Sequence, residues 1–289
     1  MAVGTQLPPR LQGPVRVVKK LGSRPVGALD DLGAQLSFYA RSMAWTYRVL
    51  IRYKKEVLRL LAEVSLGSGA LAMVGGTVGV IAFMTFFTGT EVGLQGYASL
   101  NQLGVSNFTA FISAYFNTRE IAPLVAGLAL SATVGAGFTA QLGAMRVSEE
   151  VDALEVMGIP SVPFLVTTRM IAGFVAVIPL YVIGLLSSYF AARLITTGFY
   201  GQSSGTYDQY FNQYLPPVDV LWSFFKVCIF ALIIILIHCY YGYFASGGPA
   251  GVGVAVGRAV RLAIVAINVV DFFLSLAIWG ATTTVRIAG

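Results

Sequence analysis

Residues 120–158 read EIAPLVAGLALSATVGAGFTAQLGAMRVSEEVDALEVMG. From Ile121 to Met145 the run carries no charge, and it then turns into a short segment holding Glu149, Glu150, Asp152 and Glu155. In that second segment Val147, Val151, Leu154 and Gly158 fall at helical spacing along one face, and the carboxylates occupy the rest. A charge at the centre of a bilayer costs about 2.5–3.5 kcal/mol on insertion scales, so the first part suits a membrane span and the second suits water. Ser148 stands where an N-cap is expected, and acidic residues in the first turn complement the helix dipole. A charge run is most often a solvated face. The competing reading is a docking helix for a soluble partner, and composition alone leaves the two even.

Composition places the rest of the chain around that junction. Of 289 residues 56% are hydrophobic and 11% charged, where a soluble domain carries about 25% charged. The 32 glycines suit membrane helices. The net charge of +6 is not a nucleic-acid footprint, because eleven of the 19 Lys and Arg lie before Val64. That asymmetry marks a cytoplasmic flank under the positive-inside rule. No short apolar run with a cleavage site opens the sequence, so no cleaved signal peptide is expected. Cys228 and Cys239 are about 16 Å apart along one helix, too far for a disulfide. His238 has no neighbours that could complete a metal site and reads as a polar residue at a helix end.

Residues 1–35, rich in Pro, Gly and basic residues, read as a loosely ordered cytoplasmic arm. Residues 36–62 interleave Phe38, Trp45, Val49, Leu58 and Leu61 with Arg41, Arg48, Arg52, Lys54, Lys55 and Arg59, which predicts an amphipathic helix in the membrane interface. Five spans are predicted within a permease-like region of residues 63–289: near 64–90, from Phe108 to Gly143, and over about 162–192, 219–241 and 260–285. The Tyr-, Gln- and Ser-rich stretch 196–219 reads as an outside loop, and the glycine-rich stretch 242–261 as a cytoplasmic turn. The N-terminus is then cytoplasmic and the C-terminus outside.

Four charges fall inside spans: Arg119, Glu120, Lys226 and Asp271. Each should meet a partner or a wet cavity. Counting 1.5 Å per residue sets Lys226 about 22 Å and Asp271 about 16 Å deep, an offset a lysine side chain can bridge; alternatively Lys226 snorkels to the headgroups. Glu91 reads as the outer end of span one, solvated or at a cavity mouth. No G-x-x-x-x-G-K-[ST] loop and no H-E-x-x-H occurs, so the chain is not expected to hydrolyse ATP or to hold a catalytic metal.

Several motifs carry a resemblance: REIAP from Arg119, GAGFTAQLG, MRVSEEVDALEVMG, Pro160, Arg169, FFKVCIF, CYYGY, GVGVAVGRAV and NVVDFFLSLAIWG. Over about residues 60–285 the chain resembles the YrbE/MlaE permease family of lipid-transporting ABC systems. The resemblance implies a cytoplasmic coupling helix seated on a separate ATPase through Arg146, Ser148, Glu149, Glu150, Asp152, Leu154, Glu155 and Met157. It places Arg119, Glu120, Lys226 and Asp271 near the lipid cavity. Ala132 and Thr133 stand where the family often has Gly-Arg, and Gln141 where it usually has Glu. These departures resemble the actinobacterial branch encoded beside Mce proteins, in which two unlike YrbE chains pair.

The expected protein is therefore an all-α integral membrane permease of the inner (plasma) membrane, with one interfacial helix, five spans and a coupling helix between spans two and three. It is not expected to be an enzyme or to hold a cofactor, ATP and Mg being bound by the separate ATPase dimer. Its implied partners are a second YrbE-type chain, that ATPase dimer, periplasmic Mce proteins and a lipid or fatty acid, with no nucleic acid. The alternatives are a non-transporting scaffold for Mce proteins, and an intramembrane lipid-modifying enzyme that would have to rest on His238.

Overall fold

A computed structural model describes residue 30 and residues 32–66 and 76–280. The described residues are helical and contain no strand. Contacts divide the chain into two units, residues 1–44 and 45–289. Within the first, residues 32–44 form helix α1, in which Ser42 Oγ donates to the Phe38 carbonyl at 2.9 Å. The basic arm expected over residues 1–35 lies outside the described residues except at residue 30 and at 32–35, and the latter are already helical.

The second unit opens with α2 (Thr46–Arg52) and α3 (Lys54–Leu66). The single interfacial helix expected over 36–62 is thus interrupted at Trp45 and at Tyr53, where φ is −116°. Five long apolar helices follow: α4 (Thr77–Gln102), α5 (Ser106–Val147), α7 (Val162–Phe199), α9 (Pro217–Tyr243) and α10 (Gly248–Trp279). Two short helices join them at opposite ends of the bundle, α6 (Glu150–Val156) between α5 and α7, and α8 (Ser204–Tyr214) between α7 and α9.

Span boundaries differ from the sequence expectation, and the two largest shifts, at the starts of the first and fifth spans, have local reasons. The first span is α4, not 64–90: residues 64–66 belong to α3, residues 67–75 lie outside the described residues, and the extended Gly76 (ψ 171°) opens the helix. Apolarity runs through this stretch without marking where a helix starts. Glu91 consequently sits near the middle of α4, exposed, accepting a hydrogen bond from Gln95. The fifth span begins at Gly248, so most of the glycine-rich stretch expected as a turn is its first turns. Only the residues around Gly247 (φ 89°) and Gly248 (φ 71°) make the reversal, with Pro249 at the start of the helix where its missing N–H costs nothing. Residues 281–285, expected in this span, lie outside the described residues. The predicted outside loop contains α8.

Close helix approach rather than large side chains holds α4 to α7. Among membrane helices small residues let backbones meet, and a Cβ on Gly89 would lie 2.3 Å from the Ser188 carbonyl oxygen. Thr85 and Ser188 are buried at the same contact. Gly89→Ala must therefore push two backbones apart, with an expected cost of about 1–3 kcal/mol. The variant should melt below the wild-type protein in detergent, and an unchanged melting temperature would show that α4 and α7 are not in contact there.

Candidate functional site

Two polar constellations lie at the two ends of the bundle. At the α8 end, α5, α9 and α10 converge on a charged cluster. Wide π turns at Ser113–Ile121 give way to ordinary helix at Ala122, and Pro123 has no N–H to offer the Arg119 carbonyl in the i−4 ladder. Lys226 of α9 takes that place, its Nζ donating to the Arg119 carbonyl at 2.7 Å. The same ammonium donates to Ser275 Oγ at 2.8 Å, pairs with Asp271 at 2.7 Å and reaches Glu120 at 3.2 Å. Ser275 Oγ in turn donates to Glu120 at 2.7 Å. Lys226 is completely buried, so it does not snorkel to headgroups.

Arg119 does not pair with its neighbour Glu120. Its Nε and Nη2 donate to Asp219 Oδ2 at 2.8 and 2.6 Å, and Trp279 Nε1 donates to the other oxygen at 3.1 Å. The guanidinium lies 3.8 Å from the centre of the Tyr115 ring and 5.0 Å from that of Trp279, a cation–π enclosure. Sequence reading missed Asp219, taking it for the edge of a loop. The signal was its spacing, since Asp219 and Lys226 stand two turns apart on one face of α9, as Asp271, Ser275 and Trp279 do on α10. With Asp219 the cluster holds three carboxyls against two cations. Of the three, Glu120 is the one with a large exposed fraction, 35% of its side chain.

At the opposite end lies α6. Ser148 is not its N-cap. Glu149 occupies that position in a left-handed conformation (φ 61°), while Ser148 Oγ donates to Glu150 at 2.9 Å. Val151 anchors the helix, 1% exposed, and Leu154 is half-buried. The four carboxylates divide. Asp152 pairs with Arg146 at 2.6 Å. Glu155 accepts from Ser161 Oγ at 2.6 Å and from the Tyr243 hydroxyl at 3.5 Å, which ties α6 to the start of α7 and the end of α9. Glu149, Glu150, Val156 and Met157 are left facing outward. Nearby, Gln141 donates to Glu63 at 2.7 Å and accepts from the buried Arg169 at 3.3 Å, so a neutral side chain bridges that cation to a carboxylate on α3.

His238 is not at a helix end. It is fully buried against α5, with Ser131 Oγ 3.0 Å from Nε2 and Thr139 Oγ1 2.8 Å from Nδ1, while Thr139 also donates to the His238 carbonyl at 3.0 Å. A Cβ on Gly135 would meet the ring at 2.5 Å, so the histidine fills a glycine gap as a helix clamp. Contrary to the expectation that no G-x-S-x-G occurs, GQSSG at 201–205 has that spacing. A nucleophile elbow needs a strand-to-helix turn, whereas Ser203 precedes α8 between two helices, at the opposite end from His238. Both cysteines are free, and no group of His, Cys, Asp and Glu suited to a metal occurs among the described residues. On α8, hydrogen bonding from the Arg193 guanidinium holds the Asp208 carboxyl below its usual range, and burial pushes the Tyr207 hydroxyl up to about 12.

Five apolar helices of spanning length, joined by short helices at either end, define a multi-pass membrane protein. The chain belongs to the MlaE permease family, whose pattern, described as Permease MlaE, matches residues 67–277. It is 35% identical over 181 residues to a probable ABC transporter permease protein of Rickettsia bellii, covering 63% of this chain and 70% of the relative. It is 30% identical over 203 residues to the chloroplastic protein TRIGALACTOSYLDIACYLGLYCEROL 1 of Arabidopsis thaliana, covering 69% and 57%. The intermembrane phospholipid transport system permease protein MlaE of Haemophilus influenzae is 26% identical over 203 residues, covering 70% and 78%.

Removing one partner of a buried ion pair leaves an uncompensated charge, at about 3–5 kcal/mol. Lys226→Met alone, which strands Asp271, should therefore lower thermal stability and folded yield more than Lys226→Met with Asp271→Leu. Glu120 can turn outward in both. Strictly additive losses would show that the two side chains do not share a site.

Proposed function

We propose that this permease couples ATP hydrolysis on a separate ATPase to the movement of a lipid or fatty acid, through α6. The observation that carries the reading is the division of the α6 carboxylates. Glu149 and Glu150 face outward beside the exposed Val156 (88%) and Met157 (65%), a mixed apolar and acidic surface that suits a basic, partly apolar groove. Val151 and the Glu155–Ser161–Tyr243 bonds join that surface to the spans. Arg146, Ser148, Asp152, Leu154 and Glu155 then shape and hold the helix, while Glu149, Glu150 and Met157 make the contact.

In this reading the protein sits in the inner membrane with its basic N-terminal side and α6 in the cytoplasm, and α8 outside. It pairs with a second, unlike YrbE-type chain and faces Mce proteins on the α8 side. Its lipid is held near Arg119, Glu120, Lys226 and Asp271, with the half-open Glu120 nearest the cavity. ATP and Mg stay on the ATPase, and no cofactor is held by this chain. The name of the Haemophilus relative, a phospholipid transport permease, supports the substrate class. The buried His238 and the loop position of Ser203 count against a lipid-modifying enzyme. A bare scaffold would not need α6 to be tied to three spans.

Reversing Glu149 and Glu150 to Lys sets like charges against the partner, a loss of several kcal/mol, and so should reduce ATPase co-purification by about a hundredfold or more. Membrane insertion should be intact because no span changes. Glu155→Lys should behave differently, lowering stability as well because it breaks the Ser161 and Tyr243 bonds. Normal ATPase recovery and lipid uptake with Glu149→Lys and Glu150→Lys would reduce these carboxylates to a solvated face.

Topology is tested separately with single cysteines at Ser148 and Ser204, both exposed and at opposite ends of the bundle. A membrane-impermeant reagent should label Ser204→Cys from outside and Ser148→Cys only after permeabilisation. Labelling of both from one side would overturn the five-span orientation.

A further inference from the structure

A cavity of about 500 Å³ opens beside the turn that follows α6. One wall is α2 and the Trp45 that precedes it, with Arg48 and Arg52, and the other is Gly158, Ile159 and Pro160. Its frame is fixed: Val49 is completely buried, and the Tyr53 ring packs edge-on against Phe164 of α7 at 5.3 Å. The turn wall is closed as well. Gly158 adopts φ 74°, its N–H donates to the Glu155 carbonyl at 3.0 Å, and the Ile159 N–H donates to the Leu154 carbonyl at 2.9 Å.

The two guanidiniums carry the argument. Arg48 and Arg52 stand one turn apart on the same face of α2, and neither has an ion-pair partner among the described residues. The Arg48 guanidinium lies 5.0 Å from the centre of the Trp45 ring, so one side of it is already held. The other basic side chain of this region with carboxylates in reach, Arg59, is occupied by Glu56 and Glu63. Alongside the arginines α2 exposes Tyr47 (75%) and Ile51 (63%), a mixture of aromatic, aliphatic and cationic side chains that belongs at the headgroup level of a bilayer.

We infer that this cavity binds the headgroup of an anionic membrane phospholipid, with Arg48 and Arg52 on the phosphate and Trp45, Ile51 and Ile159 against the start of the acyl chains. Paired guanidiniums match phosphate oxygens in a planar, bidentate way. The apolar part of the lining gives a lipid an advantage over free phosphate, which has nothing to place there. An occupied site would brace the turn after α6 against α2, so that the end of α6 is held by the membrane as well as by the protein. The inference goes beyond the transport reading and does not depend on it, since it concerns α2 and a turn rather than the outward face of α6.

The test uses full-length purified protein and native mass spectrometry, titrating phosphatidylglycerol against phosphatidylcholine. Wild-type protein should retain phosphatidylglycerol preferentially. R48Q/R52Q should weaken that retention by about tenfold or more, while K54Q/K55Q should leave it unchanged. The control pair removes the same charge from exposed positions that do not line the cavity. Equal losses in the two pairs would mean diffuse attraction and overturn the site, as would equal retention of the two lipids. Displacement by millimolar inorganic phosphate would make free phosphate the ligand and overturn the lipid assignment. Fluorescence gives a readout independent of the arginine variants: brominated phosphatidylglycerol should quench a saturable fraction of wild-type tryptophan emission that is absent in W45F. Persistence of that fraction in W45F would place the lipid elsewhere.

Discussion

An ammonium with no exposed surface dictates how three of the five spans meet. A buried charge is tolerated only when paired and fully hydrogen-bonded, and the three N–H bonds of Lys226 find their acceptors on two other helices. The Arg119 carbonyl and Glu120 come from α5 and Ser275 from α10, which also supplies Asp271 as the close ion-pair partner. Pro123 matters to this arrangement although it touches no charge, because it frees the carbonyl that Lys226 uses. Moving α10 away would strand the lysine, and moving α9 would also break the Arg119–Asp219 pair. The cluster therefore specifies the arrangement of α5, α9 and α10 more than it adds to their stability, since buried ion pairs are weak sources of net stability.

The two halves of the bundle are held by different physics. Between α5 and α9 polar bonds recur along the length: Asp219 and Lys226 at one end, then His238 with Ser131 and Thr139. Between α4 and α7 small residues dominate the contact, with Gly89 on Ser188 and Gly184 on Ile81 and Thr85, and one side-chain bond, from Ser187 Oγ to the Ala82 carbonyl at 3.0 Å, crosses it. Directional bonds fix register and rotation, whereas small-residue packing leaves sliding less strongly opposed. The Tyr181–Ser223 hydroxyl pair links α7 to α9 across the interior.

Much of this was legible in the sequence, and the failures have physical causes. The span count and the acidic helix after span two follow from uncharged length, helical spacing and the cost of charge in hydrocarbon, whereas depth alone leaves Lys226 a choice between Asp271 and the headgroups. Helix ends were less legible. The start of α4 at Gly76 and of α10 at Gly248 are set by glycine conformation inside runs that are apolar on both sides, where hydropathy changes little. Asp219 escaped because it stands beside Pro216 and Pro217, which read as loop, although Pro217 is the first residue of α9. His238 escaped because burial of a polar side chain depends on Ser131 and Thr139, about a hundred residues earlier in the chain. Ser148 has the residue type of an N-cap ahead of an acidic first turn, but the left-handed Glu149 takes that place.

The α6 helix shows how one acidic segment can serve two purposes that composition treats as one. Of its carboxylates, Asp152 and Glu155 are spent inside the protein, on Arg146 and on the Ser161–Tyr243 pair. Glu149 and Glu150 face outward, Glu150 bonded locally to Ser148, next to the exposed Val156 and Met157. Glu155 ends in a hydroxyl of α9, and α9 also carries Lys226 and Asp219, so one unbroken helix of 27 residues reaches from the α6 network to the charged cluster. At 1.5 Å per residue that is about 40 Å. A displacement of α6 by the proposed ATPase would meet no hinge along α9 before the cluster, which lacks internal Pro or a π turn. The stiffness of α9, rather than any feature of α6 alone, is what would carry such a displacement to the side chains nearest the proposed lipid site.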